Sequence, residues 1–384
     1  MHGGVGFGVF STDGDAPRVG FRVGHGVLDL AAQGLGGVFG ASTLNPFFAL
    51  GRSSWEDTIA RIDELVSGGA EFVPLEDVDV GLPFTVADYV DFYSSLEHAT
   101  NLGRMFRPDT EPLLPNWRHL PVGYHGRAGT VVVSGTPIVR PCGQMKAPGD
   151  KVPRFGPSAR LDIELELGFV VGVGSRLGEP LSASAFRDHV FGVVLVNDWS
   201  ARDIQAWEYQ PLGPFLGKSF ATSIGAWVTP LALLEERFVP GPAQDPEPLP
   251  YLRVAGDWAL DVELEVELEG TVVSRTNARG LYWSMPQQLA HATVNGASVA
   301  TGDLFASGTI SGAEHGSEGS LIELSRNGEH LVGLADGSTR TFLEDGDEVV
   351  LRGRAGELEL AEVRGTILPA RCPPNNPDPR SERH

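Results

Sequence analysis

Leu161-Asp-Ile-Glu-Leu-Glu-Leu-Gly-Phe-Val-Val171 alternates apolar and acidic residues and then becomes continuously apolar. Side chains two residues apart share one face of a β-strand, so the first half predicts a strand with its carboxylates on one face. The apolar second half predicts that this strand enters a hydrophobic core. Residues 191–197 form a second apolar strand-length run, which ends at Asp198.

Short strands joined by turns are predicted along most of the 384-residue chain, which contains 49 glycines and 28 prolines. Alternation predicts further strands at 260–268, 321–325 and 347–351. Residues 55–66 have apolar side chains near helical spacing after Ser54, which predicts a helix capped by that serine. The predicted fold class is therefore mainly β.

Two domains are expected because the chain is longer than the size at which one hydrophobic core stops growing. A turn-rich acidic stretch at 76–83 places the boundary near residue 80. The prediction is an N-terminal domain at 1–80, a larger mainly β domain at 81–372, and a flexible, Pro-rich tail at 373–384.

The bulk properties exclude several classes of protein. A net charge of −21 disfavours nucleic acid as a partner, because phosphate binding needs clustered lysine and arginine. No apolar run approaches a membrane span, and the first residues lack the features of a signal peptide. Cys142 and Cys372 cannot make a disulfide framework or a paired zinc site. The simplest interpretation is a cytoplasmic protein that binds neither nucleic acid nor membrane.

Asp162, Glu164 and Glu166 share one face of the first strand, where a hard cation would relieve their mutual repulsion. The alternative is a solvated outer face, since charged side chains usually lie in water. Residues 261–269 show the same alternation over a longer stretch, and we expect an exposed strand there. Periodicity alone does not distinguish the two cases.

Other polar residues could complete such a site. Asp91, Tyr93 and His98 fall within eight residues, and Asp198 follows directly after an apolar strand. A site made of acids alone favours Ca²⁺, Mg²⁺ or Mn²⁺ over zinc. His98 suits a general base, although a lone histidine is also often structural. Gly217-Lys-Ser lacks the spacing of a phosphate loop, and the chain has no G-x-S-x-G motif.

Several long segments resemble the fumarylacetoacetate hydrolase family, in the branch that cleaves fumarylacetoacetate itself. The resemblance runs from about residue 8 to about residue 370 and rests on Asp88-Tyr-Val-Asp-Phe-Tyr-Ser-Ser, His98-Ala-Thr-Asn, 115–127, Ser134-Gly-Thr-Pro, 197–205, Trp207-Glu-Tyr, Pro211-Leu-Gly-Pro-Phe-Leu-Gly-Lys-Ser-Phe and Ala306-Ser-Gly-Thr-Ile-Ser-Gly. It implies an SH3-like barrel at 1–80, a β-roll catalytic domain at 81–372 and a homodimer. The implied activity is hydrolysis of a carbon–carbon bond in a small 1,3-diketo acid, as the last step of tyrosine and phenylalanine breakdown.

The resemblance also implies a role for each matching residue. Four acids would hold a Ca²⁺-like ion, for which Mg²⁺ or Mn²⁺ could substitute: Asp91, Glu164, Glu166 and Asp198. A second, Mg²⁺-like position would be bounded by Asp198, Lys218 and Thr222. His98 and Glu323 would activate water, with Arg107, Gln205 and Lys218 as donors to the oxyanion. The implied substrate contacts are Tyr93, Arg107, Tyr124, Gln205, Tyr209 and Thr309.

One departure and two alternatives accompany the resemblance. Ala221 stands where the family pattern has glycine, which bears on the second cation position. A sister enzyme of the same fold would cleave an acylpyruvate or decarboxylate an oxo acid, and the tyrosines and Gln205 argue against it. A non-catalytic, cation-stabilised binding protein is the other alternative. The presence of both His98 and Glu323 argues against that class.

Overall fold

The computed structural model describes residues 3–373. A small N-terminal domain precedes a larger C-terminal domain of mixed β-sheet, which confirms the mainly β class predicted from the sequence. Apart from Pro373, the predicted flexible tail at 373–384 lies outside the described residues. Within the described part of the chain, the helices are all too short or too polar to cross a membrane.

Five strands and two helices begin the chain. The strands are β1 (Gly3–Ser11), β2 (Arg18–Val23), β3 (Gly26–Asp29), β4 (Val73–Pro74) and β5 (Asp79–Val80), and the helices are α1 (Asn45–Phe48) and α2 (Arg52–Ser67). Helix α2 begins after Gly51, so the prediction that Ser54 caps it is wrong. Ser54 lies inside the helix, where its hydroxyl donates to the carbonyl of Leu50.

The remaining elements form the C-terminal domain. Its strands are β6 (Tyr89–Phe92), β7 (Gly123–His125), β8 (Val131–Val133), β9 (Ile138–Val139), β10 (Cys142–Met145), β11 (Arg154–Pro157), β12 (Leu161–Asp162), β13 (Leu165–Val171), β14 (Val190–Asn197), β15 (Ser200–Ala201), β16 (Thr222–Ile224), β17 (Trp227–Pro230), β18 (Phe238–Val239), β19 (Ala259–Leu260), β20 (Glu263–Leu268), β21 (Thr271–Asn277), β22 (Leu304–Ala306), β23 (Val332–Gly333), β24 (Thr339–Arg340), β25 (Glu348–Ala355) and β26 (Leu358–Leu368). Its helices are α3 (Leu96–Phe106), α4 (Phe186–His189), α5 (Arg202–Glu208), α6 (Met285–Thr293) and α7 (Leu321–Leu324).

A central sheet runs in the order β7–β6–β22–β13–β14–β16–β8. The β6–β22 and β16–β8 pairs are parallel, and the other pairs are antiparallel. A second group, β21–β20–β25–β26, is antiparallel throughout. Strand β1 joins the domains, because it pairs with β2, with β17 and, in parallel, with β26.

The run at 161–171 is interrupted, whereas a single strand was expected. β12 pairs with β15, β13 pairs with β14, and the chain changes partner at Ile163 and Glu164. At the change, the Glu164 amide donates to the side chain of Asn197 and the Asp198 amide donates to the Glu164 carbonyl. The apolar run at 191–197 is confirmed as part of β14, and it ends just before Asp198.

The strand expected at 321–325 is wrong, because these residues form helix α7. The amides of Leu321 and Ile322 donate to the carboxylate of Asp162, and this contact, distant in sequence, starts a helical turn. The expected strand at 260–268 is present as β19 and β20, separated by two residues. The strand expected at 347–351 is confirmed within β25.

Cys142 of β10 and Cys372 are joined by a disulfide, with their Cα atoms 5.6 Å apart. Two cysteines are too few for a disulfide framework, and this single bond was not predicted from the sequence. Cys142 opens a hairpin whose next residue, Gly143, lies against Ile204 of α5. The end of the described chain is therefore tied to a hairpin that packs on α5.

The two domains share one apolar core around Phe191 of β14. The ring of Phe191 contacts four aromatic rings of the N-terminal domain, with centroids 4.6–5.5 Å away: Phe7, Phe47, Phe48 and Trp55. All five side chains are buried. Close packing of this kind fixes the orientation of β14, whose far end carries Asp198.

Replacing Phe191 with Ala should lower the free energy of unfolding by about 3–5 kcal/mol, because it removes a large buried ring and leaves a cavity. Urea denaturation followed by tryptophan fluorescence measures the change. The matched control is Leu177→Ala, since Leu177 is 83% exposed. Equal stability of the Phe191 variant and the control would contradict a shared core.

Candidate active site

Four carboxylates come together because strands of the central sheet, and the residues directly beside them, position the four side chains. Asp91 lies on β6, Glu166 on β13, Glu164 in the break before β13, and Asp198 directly after β14. The register places Asp91 opposite Ala306 of β22, which in turn lies opposite a residue of β13. Sheet order therefore assembles residues that are far apart in sequence.

One oxygen from each carboxylate lies within 4.8 Å of the corresponding oxygens of the other three. We call Asp91, Glu164, Glu166 and Asp198 the acid cluster. All four side chains are buried, and Asp162 is fully buried beside them. The alternative of a solvated face for the first acidic run is therefore wrong.

The second acidic run behaves differently, as expected. On β20 the leucines and valine are buried, whereas Glu263, Glu265 and Glu267 are exposed or half-buried. Glu267 and Glu263 form ion pairs with Arg352 and Arg354 at 2.5 and 2.7 Å. The same alternation thus produces an exposed strand in one place and a buried site in the other.

The acid cluster lacks the contacts that would stabilise four charges. Asp91 Oδ1 and Glu166 Oε1 are buried and have no hydrogen-bond partner among the described residues. Burial, with the charges of Asp198 and other acids nearby, raises the pKa of Asp91 and of Glu166 well above the usual values. Unpartnered, hard oxygen ligands of this kind fit a cation such as Ca²⁺, Mg²⁺ or Mn²⁺.

Two basic side chains offset part of the negative charge. Lys218 Nζ lies 2.5 Å from Glu164 Oε2 and 2.6 Å from Asp198 Oδ2. Arg202 donates to Asp162 at 2.8 Å and to Glu164 at 2.7 Å. Burial alone would raise the pKa of Glu164, but Lys218 and Arg202 lower it below its usual value. Five acids against two bases leave excess negative charge that a divalent cation would reduce.

His98 of α3 and Glu323 of α7 form a buried pair, with His98 Nδ1 2.6 Å from Glu323 Oε2. The Glu323 carboxylate favours the imidazole tautomer that is protonated at Nδ1. The other ring nitrogen, Nε2, can then accept a proton. Asp162, beside the acid cluster, accepts hydrogen bonds from the amides of Leu321 and Ile322, so the helix that carries Glu323 lies next to the cluster. The pair and the cluster are therefore parts of one site.

Glu323 is held by more than His98. Its Oε1 accepts from Asn101 at 3.0 Å, and its Oε2 accepts from Ser311 and Ser320 at 2.9 and 2.6 Å. Burial would raise its pKa, but His98 and these hydrogen bonds lower it below the usual value. Glu323 therefore stays ionised and orients the imidazole.

Several residues predicted to contact substrate lie beside this site. The ring of Tyr93 packs edge-on to His98, with centroids 5.3 Å apart. The hydroxyl of Tyr124 lies 3.4 Å from Asp198 Oδ2, and Thr222 donates to Asp198 Oδ1 at 3.0 Å. Thr309 is buried, and its hydroxyl has no partner among the described residues.

Three other described residues predicted to contact substrate, Gln205, Arg107 and Tyr209, form no hydrogen bond with the carboxylates of the acid cluster. Gln205 accepts from Arg202 at 3.5 Å, at the edge of the acid cluster. Arg107, at the end of α3, donates to the carbonyl of Pro112 and lies near enough to Tyr93 to affect its pKa. Tyr209 is 44% exposed, and its hydroxyl accepts from Gln210. The structure therefore does not bring Tyr209 into the cluster.

An open cavity of about 330 Å³ reaches the acid cluster from the surface. Asp198, Lys218 and Thr222 lie at its inner end, with Tyr124 on one wall and Phe215 on another. A small acid that entered here would meet Lys218 and Asp198, the member of the acid cluster that lines the cavity. The cavity size suits a small-molecule substrate.

Arg202 and the donors around Glu323 were not predicted from the sequence. Arg202 lies within the quoted stretch 197–205, but a single arginine near one acid gave no sign of two buried ion pairs. Asn101, Ser311 and Ser320 are common polar residues with no distinctive spacing. Asp162 was identified on the acidic face, but its contact with α7 depends on the tertiary fold.

Fold and site together define a class: a hydrolase whose buried carboxylates can hold a cation beside a histidine–glutamate pair. Residues 5–83 match the family model described as fumarylacetoacetase N-terminal, and residues 88–367 match that described as fumarylacetoacetate (FAA) hydrolase C-terminal. The chain belongs to the fumarylacetoacetate hydrolase family, and it is a hydrolase that acts on carbon–carbon bonds.

Relatives match over nearly the whole chain. Fumarylacetoacetases of Rattus norvegicus and Homo sapiens are each 46% identical over 96% of this chain and 96% of their own length. The fumarylacetoacetase of Oryza sativa subsp. japonica is 43% identical over 95% of this chain and 93% of its own.

Solved structures share the fold at lower identity. A fumarylacetoacetate hydrolase from Exiguobacterium antarcticum has a TM-score of 0.57 and 17% identity, covering 96% of this chain and 100% of that one. A maleylpyruvate hydrolase from Sphingobium sp., solved with manganese(II) and pyruvate, has a TM-score of 0.57 and 14% identity, covering 95% of this chain and 100% of its own.

Replacing Glu166 with Gln removes one charge of the acid cluster at nearly constant volume. In the wild type, Ca²⁺ at about 100 times its Kd should raise the free energy of unfolding by about 2.7 kcal/mol. We expect Glu166→Gln to lose most of this increase and, in chelator, to be more stable than the wild type, because repulsion is relieved. Denaturant titrations with and without Ca²⁺ measure both effects. The control is Glu267→Gln on exposed β20; a Ca²⁺ effect of equal size in both variants would contradict the site.

Proposed function

We propose that the chain hydrolyses 4-fumarylacetoacetate to fumarate and acetoacetate, the last step of tyrosine and phenylalanine breakdown. The proposal rests on the buried His98–Glu323 pair, in which Nδ1 and Oε2 are 2.6 Å apart, together with the four clustered carboxylates. Relatives 42–46% identical over at least 95% of the chain carry the name fumarylacetoacetase, which supports this substrate.

The residues that would hold the cation are Asp91, Glu164, Glu166 and Asp198. When bound, a divalent cation acts as a Lewis acid toward the oxygens of a 1,3-diketone. We propose Ca²⁺ as the native ion, with Mg²⁺ or Mn²⁺ able to replace it, because all four ligands are carboxylates. The unpartnered oxygens of Asp91 and Glu166 support an ion at this position.

A second, Mg²⁺-like position beside Asp198, Lys218 and Thr222 stays a prediction. Lys218 Nζ lies 2.6 Å from Asp198, so its positive charge already occupies that side of the carboxylate. A second cation would be repelled by this ammonium unless Lys218 moved. The residues around this position therefore fit a second metal less well than the acid cluster fits the first.

Hydrolysis of a carbon–carbon bond needs an activated water and a stabilised leaving carbanion. Nε2 of His98, which Glu323 orients, would accept a proton from water. The resulting hydroxide would add to the fumaryl carbonyl carbon. Breaking the carbon–carbon bond then leaves the electron pair on the acetoacetate carbon as an enolate. Return of the proton to that carbon completes the balance.

The substrate is a dianion, whereas the protein carries a net charge of −21. Lys218 and Arg107 would supply local positive charge for the substrate carboxylates and, with Gln205, hydrogen bonds to the developing oxyanion. Tyr93, Tyr124, Tyr209 and Thr309 are the proposed substrate contacts.

The assembly and location are proposals as well. The resemblance to the family supports a homodimer in the cytoplasm, with a small diketo acid as ligand. We propose neither nucleic acid nor membrane as a partner, because the chain is strongly acidic.

His98→Ala should lower kcat by about 10²–10⁴-fold, because the variant lacks the base that activates water. The loss of ultraviolet absorbance by fumarylacetoacetate measures turnover. His330→Ala is the control, since His330 is exposed. The His98 variant should keep the stabilisation by Ca²⁺, and turnover at the wild-type rate would refute its assignment as the base.

Chelation should abolish turnover, and added Ca²⁺, Mg²⁺ or Mn²⁺ should restore it, because the carboxylates need a cation to engage the diketone. The same assay with acetylpyruvate distinguishes the sister reaction. Faster hydrolysis of acetylpyruvate would reassign the substrate, and full activity of metal-free protein would remove the cation from the proposal.

A further inference from the structure

The first two amides of helix α7 are satisfied by a side chain from a distant strand. The N–H of Leu321 donates to Asp162 Oδ1 at 2.7 Å, and the N–H of Ile322 donates to Asp162 Oδ2 at 3.1 Å. Amides at a helix N-terminus have no partner inside the helix, so an acceptor there determines where the helix begins. Glu323 is the third residue of α7, and the start of the helix therefore sets the position of its carboxylate.

The same carboxylate is tied to the acid cluster. Arg202 Nε donates to Asp162 Oδ2 at 2.8 Å, and Arg202 Nη1 donates to Glu164 Oε1 at 2.7 Å. Asp162 Oδ1 also accepts from the amide of Ile163 at 2.8 Å. Each oxygen of Asp162 thus accepts two hydrogen bonds, and the side chain is fully buried. No oxygen is left to bind a cation, in contrast to Asp91 and Glu166.

We propose that Asp162 is a positioning residue that holds the His98–Glu323 pair in a fixed relation to the acid cluster. Both oxygens of its carboxylate accept from the start of α7, and Oδ2 also accepts from Arg202, which in turn donates to Glu164. The inference rests on the proposed function, because it concerns the alignment of the base with the substrate. Residues that support a metal-site ligand in this way typically change activity by about 10- to 100-fold when replaced.

Asp347 provides a matched buried acid with a purely structural role. It accepts from Arg340 at 2.8 Å and from the amide of Glu344 at 2.7 Å, and it is 3% exposed. Its partners are Arg340 of β24 and Glu344 in the turn before β25, and they include no residue of the proposed site. Asp347→Asn therefore reproduces the loss of a buried acid–arginine–amide contact without touching α7.

The test compares Asp162→Asn with Asp347→Asn in the full chain loaded with Ca²⁺. Asparagine keeps one acceptor oxygen but presents an NH₂ group to the donors on the other side. If the NH₂ replaces Oδ1, the amides of Leu321 and Ile163 lose their acceptor; if it replaces Oδ2, the amide of Ile322 and Arg202 lose theirs, so one α7 amide is unpaired in either orientation. We expect kcat to fall about 10- to 100-fold in Asp162→Asn while Ca²⁺ still binds, because the four acids are intact. The Asp347 variant should keep the wild-type kcat.

Two further measurements separate positioning from stability. The far-downfield proton resonance of His98 Nδ1–H, identified by its absence in His98→Ala, should shift in Asp162→Asn and not in Asp347→Asn. In the double variant Asp162→Asn with Glu323→Gln, the loss of kcat should be smaller than the product of the two single losses, because both changes act on the His98–Glu323 pair. Asp162→Glu keeps the negative charge and should recover part of kcat. If Asp162→Asn does not fold, the same measurements are made on Asp162→Glu.

The outcomes distinguish the two proposals. If the wild type turns over fumarylacetoacetate, and the Asp162 variants match Asp347→Asn in kcat and in the proton resonance, the positioning role is wrong. If the wild type does not turn over this substrate, the proposed function is wrong. In that case an unshifted His98 resonance in the Asp162 variants would still overturn the inference.

Discussion

The structure depends on burying five carboxylates together, of which Asp162, Glu164 and Asp198 form ion pairs with the buried bases Arg202 and Lys218. Charges in a low-dielectric interior repel strongly, and Asp91 and Glu166 retain oxygens with no partner. A protein selected for stability alone would not keep this arrangement, because a buried charge without a compensating partner is strongly destabilising. The unfavourable charge is concentrated where a cation and an anionic substrate would use it, and the surrounding packing must compensate.

That packing explains why the central sheet carries the site. Asp91 lies on β6, Glu166 on β13 and Asp198 directly after β14, all in one sheet, so the strand register sets the distances between their oxygens. A slip of one residue would turn a ligand to the opposite face. The aromatic cluster around Phe191 holds β14 from the other end, and Arg202 and Lys218 hold the carboxylates locally.

The sequence predicted the parts of this site that depend on local pattern. Alternation identified β13 and β20, and the residues themselves indicated Asp91, His98, Glu164, Glu166 and Asp198 as candidates. Glu323 came only from the family resemblance, and alternation at 321–325 wrongly predicted a strand. Alternation could not reveal α7, because its first turn is stabilised by Asp162 from elsewhere in the chain. The tertiary fold also determines which acidic run is buried. The acids at 162–166 are enclosed beside Arg202, whereas the glutamates of β20 face solvent.

The parallel pairing of β1 with β26 has a consequence for biosynthesis. The contact joins Gly3 and Gly4 of β1 to Leu358 and Glu359 of β26, so it forms only after β26 has been synthesised. Until then this end of β1 lacks a partner on that edge, and an unpaired strand edge can pair with other polypeptides. The N-terminal domain can collapse earlier around its buried phenylalanines, but the first residues of β1 reach their final hydrogen bonding only when β26 is available. The beginning of β1 is therefore fixed by the last strand of the described chain.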